Sequence, residues 1–138
     1  MQDSYQIFPV GIVRKSTESV SIEIFKDFEK ALLGLEQFSH IIICAWFHEN
    51  DRAEKRKVLT VHPKGDKRNP LTGVFATRSP VRPNLLALFS CKILSIRKNI
   101  VRIDRIQALD GTPVIDIKPY IPRTDALPEA RVPWWVGK

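Results

Sequence analysis

The chain has 138 residues, the length of one ordinary domain, and 43% of them are apolar, enough for a real core. The apolar residues are spread along the whole length, which excludes a disordered chain, and no apolar run is long enough to span a membrane. The formal net charge of +7 suits a polyanionic partner, for which nucleic acid is the usual candidate, although a basic surface also serves solubility alone.

The start, Met1-Gln-Asp-Ser-Tyr-Gln, is polar and has no apolar signal region, so a cytoplasmic protein is expected. Ile7 to Arg14 reads as a strand in which Pro9 and Gly11 mark an edge or a bulge. Val20-Ser-Ile-Glu-Ile24 alternates apolar and polar residues, as a half-buried strand does. Phe28, Leu32 and Leu35 fall at helical spacing. They predict one short helix near residues 27–35, with Asp27 as N-cap and Gly34 near its stop. Ile41 to Phe47 is a continuous apolar run without breakers and reads as a strand buried on both faces.

Arg52 to Arg68 is the basic region, read as loops around a strand at Val58–Val61. It holds Lys55, Arg56, Lys57, Lys64, Lys67 and Arg68. Such a run is either a solvated face or, if the strand brings both clusters to one rim, a phosphate-tracking patch.

The stretch Gly73-Val-Phe-Ala-Thr-Arg-Ser-Pro-Val-Arg-Pro-Asn84 reads as a short buried strand, Val74 to Thr77, running into a loop stiffened by Pro80 and Pro83. That loop presents Arg78, Ser79, Arg82 and Asn84. It is either a plain proline-rich turn with solvated arginines or a preorganised holder for an anionic or polar ligand. Leu85 to Ile96 reads as a long strand, Lys98-Asn99 as a turn and Ile100 to Asp104 as the return strand of a hairpin. Asp110-Gly111 is a tight turn, and Pro113 to Ile117 a further strand. If that strand persists, Asp116, Lys118 and Tyr120 share one face, because residues two apart do so. A carboxylate, an ammonium and a phenol together can position a polar ligand or move a proton; the simpler reading is a surface ion pair. The tail, residues 126–138, ends in the pair Trp134-Trp135, expected to dock on the body or on a second subunit.

Many short strands with one short helix predict an all-β fold, a single-sheet barrel over residues 1–138. Cys44 and Cys91 lack CxxC spacing and read as buried structural thiols, and His40, His48 and His62 lack metal-ligand spacing, so no metal is expected. No dinucleotide or P-loop fingerprint occurs.

Gly73 to Pro80 with Arg82-Pro-Asn84, and Leu109-Asp-Gly-Thr-Pro-Val-Ile-Asp-Ile-Lys-Pro-Tyr120, resemble the two long motifs of the TsaA/YaeB-like family. Val10 to Arg14, Gly34 to His40 and Trp46 to His48 add support. The resemblance covers nearly the whole chain. It implies a β-barrel that binds S-adenosylmethionine, commonly near a homodimer interface. It also implies methylation of N6 of the threonylcarbamoyl-adenosine beside the anticodon of certain tRNAs, a substrate that suits the positive charge. On this resemblance the cofactor contacts fall at Phe75, Ala76, Thr77, Arg78, Ser79, Arg82, Asn84, Leu85, Leu86, Asp110 and Thr112. Arg78 or Arg82 would meet the methionine carboxylate or a tRNA phosphate. Asp110, Asp116, Lys118 and Tyr120 are the catalytic candidates, with Asp116 or Asp110 taking the released proton. The six basic residues between Lys55 and Arg68 form the expected tRNA footprint.

The sequence departs from the family after Asn84. The family's usual Pro-Ile-Gly-Leu-Ser is here Leu85-Leu-Ala-Leu-Phe89, which replaces a proline, a glycine and a serine and alters the expected loop. Two further classes are therefore carried: a cofactor-binding barrel with a lost or altered acceptor, and a cofactor-free nucleic-acid-binding barrel.

Overall fold

A computed structural model describes residues 3–137. Met1 and Gln2, part of the polar start, and Lys138, the end of the expected tail, lie outside the described residues. In chain order the strands are β1 (Gly11–Lys15), β2 (Val20–Ile24), β3 (His40–Trp46), β4 (Thr60–Val61), β5 (Thr72–Gly73), β6 (Leu86–Arg97), β7 (Ile100–Ile103) and β8 (Pro113–Pro119). Two single-turn α-helices, α1 (Ala53–Arg56) and α2 (Pro122–Asp125), and several 3-10 turns complete the elements. The residues group into two compact units, Met1–Glu49 with Leu86–Tyr120, and Asn50–Leu85 with Ile121–Lys138.

The first unit is the barrel that the strand pattern predicts. Six strands close in the order β1-β2-β7-β6-β3-β8, every pair antiparallel. A small barrel fills its interior with the inward half of each strand's side chains. Val13, Ile22, Ile41, Ile43, Val101, Ile103 and Val114 accordingly have 0–1% of their surface exposed. On β3 the residues Ile41, Ile43 and Ala45 point in, while Ile42, Cys44 and Trp46 are half-buried. This strand is thus buried on one face rather than on both. Cys91 is buried, but Cys44 lies on that outer, half-buried face. Burial pushes the Cys91 thiol up to about 11 and also raises Cys44.

Two irregularities bend the sheet so that it can close. One lies between Cys44 and Ala45 opposite β8, the other between Ile93 and Ser95 opposite β7. The twelve-residue β6 serves both neighbours, pairing with β3 through Leu86–Lys92 and with β7 through Ile93–Arg97.

Phe28, Leu32 and Leu35 do turn inward to the core, but as 3-10 segments at Lys26–Leu32 and Leu35–Gln37. Asp27 is not the cap. Phe25 holds that position without a side-chain bond, and Gly34, at φ 90°, separates the two segments.

The departure at Leu85–Phe89 falls in and beside a strand. Leu85 is fully buried, Ala87 pairs with Ala45 on the inward face, and Phe89 packs partly buried on the barrel core. Leu86 and Leu88 stand outward, 42% and 56% exposed.

Gly11 is neither an edge residue nor a bulge. It sits between β2 and β8, partnered by Ile24 on one side and Val114 on the other. A Cβ there would lie 2.6 Å from the Glu23 carbonyl oxygen and 3.2 Å from the Ile24 Cα, both backbone atoms. Gly11→Ala should therefore force β1 away from β2 and cost about 1–3 kcal/mol, the usual range for overpacking. Urea unfolding of the two proteins measures it; equal midpoints would contradict it.

Candidate functional site

The sequence points to two segments, and each is built differently. In the second unit, Val74 to Thr77 forms a 3-10 turn at Val74–Ala76, not the expected buried strand. Only Val74 is buried, and Phe75 is 84% exposed. The turn follows from pairing at Thr60–Val61 with Thr72–Gly73, after which the Val74 N–H still reaches back to the Leu59 carbonyl.

The loop from Thr77 to Asn84 is then locked by its own side chains. The Thr77 hydroxyl donates to the Val74 carbonyl at 2.8 Å and accepts from the Ser79 N–H at 3.1 Å. The Ser79 hydroxyl accepts from the Val81 N–H at 3.2 Å. Short hydroxyl side chains close such turns readily. Arg82 folds back, its Nη1 donating to the carbonyls of Thr77 and Ser79, both at 3.2 Å. Arg78 is exposed and makes no hydrogen bond or ion pair among the described residues. The two arginines that look alike in sequence thus differ. One is spent on loop geometry, and the other presents an open guanidinium.

The loop is also held from Asn50 and Arg56, residues the sequence did not single out for this task. Asn50 Nδ2 donates to the Pro80 carbonyl at 3.1 Å. Arg56 Nε donates to the Pro83 carbonyl at 2.8 Å, and its Nη2 lies 3.3 Å from Asn84 Oδ1. Contacts across 27 to 30 residues leave no local pattern to read.

Lys55, Arg56 and Lys57 lie on α1 and at its C-terminal end, and Lys64, Lys67 and Arg68 follow β4, all within the Asn50–Leu85 segment. Lys57, Lys64, Lys67 and Arg68 are exposed and Lys55 half-buried. Arg68 donates to both carboxylate oxygens of Asp66 at 2.8–3.1 Å, which lowers the Asp66 carboxyl below its usual range.

In the barrel, the second motif divides at Pro113. Its first half secures the seam between β1 and β8. Asp110 Oδ1 accepts from the Lys15 N–H at 2.8 Å, while Lys15 Nζ donates to the carbonyls of Ile106 and Ala108, both at 3.0 Å. Thr112 is buried, and its hydroxyl donates to the Leu109 carbonyl at 2.7 Å. Gly111 allows this turn by holding φ at 85°, a region that side chains disfavour.

In the second half the strand persists to Pro119, so Asp116 and Lys118 do share a face. They pair with Cys44 and Ile42 of β3 and form an exposed ion pair at 3.6 Å. Tyr120 follows the strand. Its N–H donates to the His40 carbonyl at 3.0 Å, and its ring centroid lies 6.4 Å from that of His40. Leu85 is buried and Leu86 opens β6. Among the described residues no cluster of His, Cys, Asp or Glu could hold a metal, and no helix is long and apolar enough to cross a membrane.

A closed antiparallel barrel with a separately braced, arginine-bearing polar loop defines a class of small all-β proteins distinct from doubly wound sheets. Within it, residues 7–126 match the model of the tRNA-methyltransferase O N-terminal domain, and the chain belongs to that family. It is 46% identical over 121 residues to a Methanocaldococcus jannaschii protein named as a probable S-adenosyl-L-methionine-binding protein, covering 88% of this chain and 96% of that one. It is 43% identical over 104 residues to the mouse tRNA (adenine(37)-N6)-methyltransferase, covering 75% of this chain and 23% of the enzyme. The crystal structure of TrmO from Pseudomonas aeruginosa superposes with a TM-score of 0.76 at 28% identity, covering 98% of this chain and 63% of that chain.

The loop's internal bonding yields a direct test. Thr77→Val keeps the shape of the side chain but removes both hydroxyl bonds. It should cost about 1–3 kcal/mol through the Ser79 N–H left without its acceptor. Lys118→Gln, which breaks only an exposed pair, should stay within about 1 kcal/mol of the parent. Equal unfolding midpoints for the parent and Thr77→Val would show that the hydroxyl does not hold the loop.

Proposed function

We propose that the chain binds S-adenosylmethionine through the 75–84 segment and methylates N6 of an adenosine in a tRNA anticodon loop, the threonylcarbamoyl-adenosine beside the anticodon being the expected acceptor. The observation that carries this is the braced loop with one open guanidinium, in a chain matching the tRNA-methyltransferase O N-terminal domain over residues 7–126.

The donor set fits the ligand. Arg78 offers a charged, forked partner for the methionine carboxylate. Phe75, three residues earlier and 84% exposed, offers a ring face for the adenine. Arg82, Ser79 and Thr77 keep the loop in one shape, so that little entropy is lost on binding. Bound there, S-adenosylmethionine would supply a methyl group on a sulfonium centre. Transfer of that methyl to the acceptor nitrogen would leave the N6 proton for a base of the chain to take.

On the family resemblance alone we propose Asp116 as that base. Its carboxylate is exposed on β8 and pairs with Lys118 at 3.6 Å. Asp110 and Thr112 are engaged in the β1–β8 seam and enter as supports of that segment. Tyr120 follows β8, with its ring 6.4 Å from that of His40. Most of the rate enhancement would come from orientation, which can supply roughly 7–11 kcal/mol. The acceptor base must be unstacked for N6 to be reached. Lys55, Lys57, Lys64 and Lys67, with Arg68 partly neutralised by Asp66, would track the tRNA phosphates. With a tRNA substrate we infer a cytoplasmic protein.

A second reading is favoured by the relatives that this chain covers almost end to end, which are named for cofactor binding alone. In it the barrel holds the cofactor with another acceptor or none. Calorimetric titration with S-adenosylmethionine followed by methyl transfer to total tRNA separates the two. Binding with transfer is expected; binding without transfer selects the second reading, and no binding removes both. Arg78→Ala should weaken the titrated affinity about tenfold to a hundredfold through loss of a charged hydrogen bond. Unchanged affinity would remove Arg78 from the site.

We also infer a homodimer. Leu86 and Leu88 expose leucine on the outer face of β6, and Trp134 in the tail is 69% exposed, while Trp135 is half-buried. Apolar area of this kind is usually covered. Sedimentation at high micromolar concentration should read a dimer, and a monomer there would overturn the inference.

A further inference from the structure

We propose that Arg56 is a positioning residue for the cofactor loop, acting through the carbonyl of Pro83 and not through a tRNA phosphate. The proposal rests on the reading that the 75–84 segment holds S-adenosylmethionine. Proline fixes φ but leaves ψ free, and ψ is what aims a proline's carbonyl. The loop contains two such prolines, and each carbonyl is held by a side chain from the 50–56 segment. Asn50 Nδ2 holds the Pro80 carbonyl at 3.1 Å, and Arg56 Nε holds the Pro83 carbonyl at 2.8 Å. The remaining soft dihedral at each stiff point is thereby set.

Arg56 spends its other edges in the same place. Nη2 lies 3.3 Å from Asn84 Oδ1 and Nη1 lies 3.3 Å from Asp51 Oδ1. A planar guanidinium can meet three groups in fixed directions; a lysine ammonium presents one point and cannot reproduce the fork. Between these ties, Arg82 holds the Thr77 and Ser79 carbonyls. The loop is thus fixed at Thr77, Ser79, Pro80, Pro83 and Asn84, leaving Arg78 as its open cation. Sequence makes Arg56 look like one of three equivalent basic residues, but the geometry separates it from Lys55 and Lys57.

The test compares Arg56→Ala and Arg56→Lys with the double reversal Lys55→Glu/Lys57→Glu. Hydrogen exchange, read without any ligand, follows the bonded amides of Thr77, Ser79 and Val81. Both Arg56 variants should speed exchange there at least about tenfold while barrel amides keep their rates, and should weaken S-adenosylmethionine affinity about tenfold to a hundredfold. The lysine double reversal should leave loop exchange and cofactor affinity at parental values and flatten the salt dependence of tRNA binding by about 0.7 to 0.9 per lost contact. Loop exchange unchanged in Arg56→Ala would overturn the proposal, as would parental behaviour in Arg56→Lys. So would a lowered tRNA salt slope in Arg56→Ala with cofactor affinity intact. If the parent binds no S-adenosylmethionine, the functional reading fails, and the exchange data still decide whether Arg56 braces the loop.

Discussion

The barrel depends on closing one seam. Five of its six junctions join strands with at least four paired positions, but β1 and β8 share only Gly11↔Val114 and Ile12↔Pro113. An open six-stranded sheet would leave two edges with unpaired backbone groups. The chain extends the short seam by other means. The N–H groups of Val10 and Val13 donate to the carbonyls of Val114 and Thr112, and the Gly111 N–H donates to the Val13 carbonyl. Asp110 then ties the end of β1, and the Lys15 ammonium satisfies two carbonyls of the chain before it. Gly11 lets β1 approach β2 where a methyl group would meet backbone.

That requirement gives the second motif two jobs. Its residues up to Thr112 serve closure, and those from Pro113 onward present a face. Asp116 and Lys118 point outward because the irregularity beside Cys44 sets the register of β8 against β3. Through Ile41 and Ile43, β8 offers Pro119 and Ile117 to the core side, so the intervening residues must face out. A shift of one residue would bury the ion pair, which would cost far more than an exposed pair returns.

The loop solves a different problem, that of keeping polar groups presented yet still. It has no ladder of backbone bonds, so rigidity comes from two prolines, two hydroxyl-closed turns and side chains that reach its carbonyls. Each tie satisfies a backbone group that would otherwise turn to water. The charge that remains open is local, at Arg78, within a basic segment. Position therefore matters more than the net charge of +7 in deciding which cation meets a ligand.

Sequence by itself determined the barrel, because alternation at Val20–Ile24 and Ile100–Ile103 and dense turn signals are local consequences of a half-buried sheet. It also determined the family, through two motifs whose residue types are fixed by tight turns and stiff loops. It misread Val74–Thr77 as a strand, since an apolar run says that burial is needed but not which backbone supplies it. It gave Asp27 a capping role that an α-helix would have needed and a 3-10 segment did not. Tertiary structure alone decided which of two loop arginines is open, that Asp110 and Thr112 belong to a seam, and that Arg56 differs from the lysines beside it. Those roles are set by hydrogen-bond partners as many as 95 residues away. A side chain's own type and spacing carry no record of the carbonyl or amide that folding will bring to it.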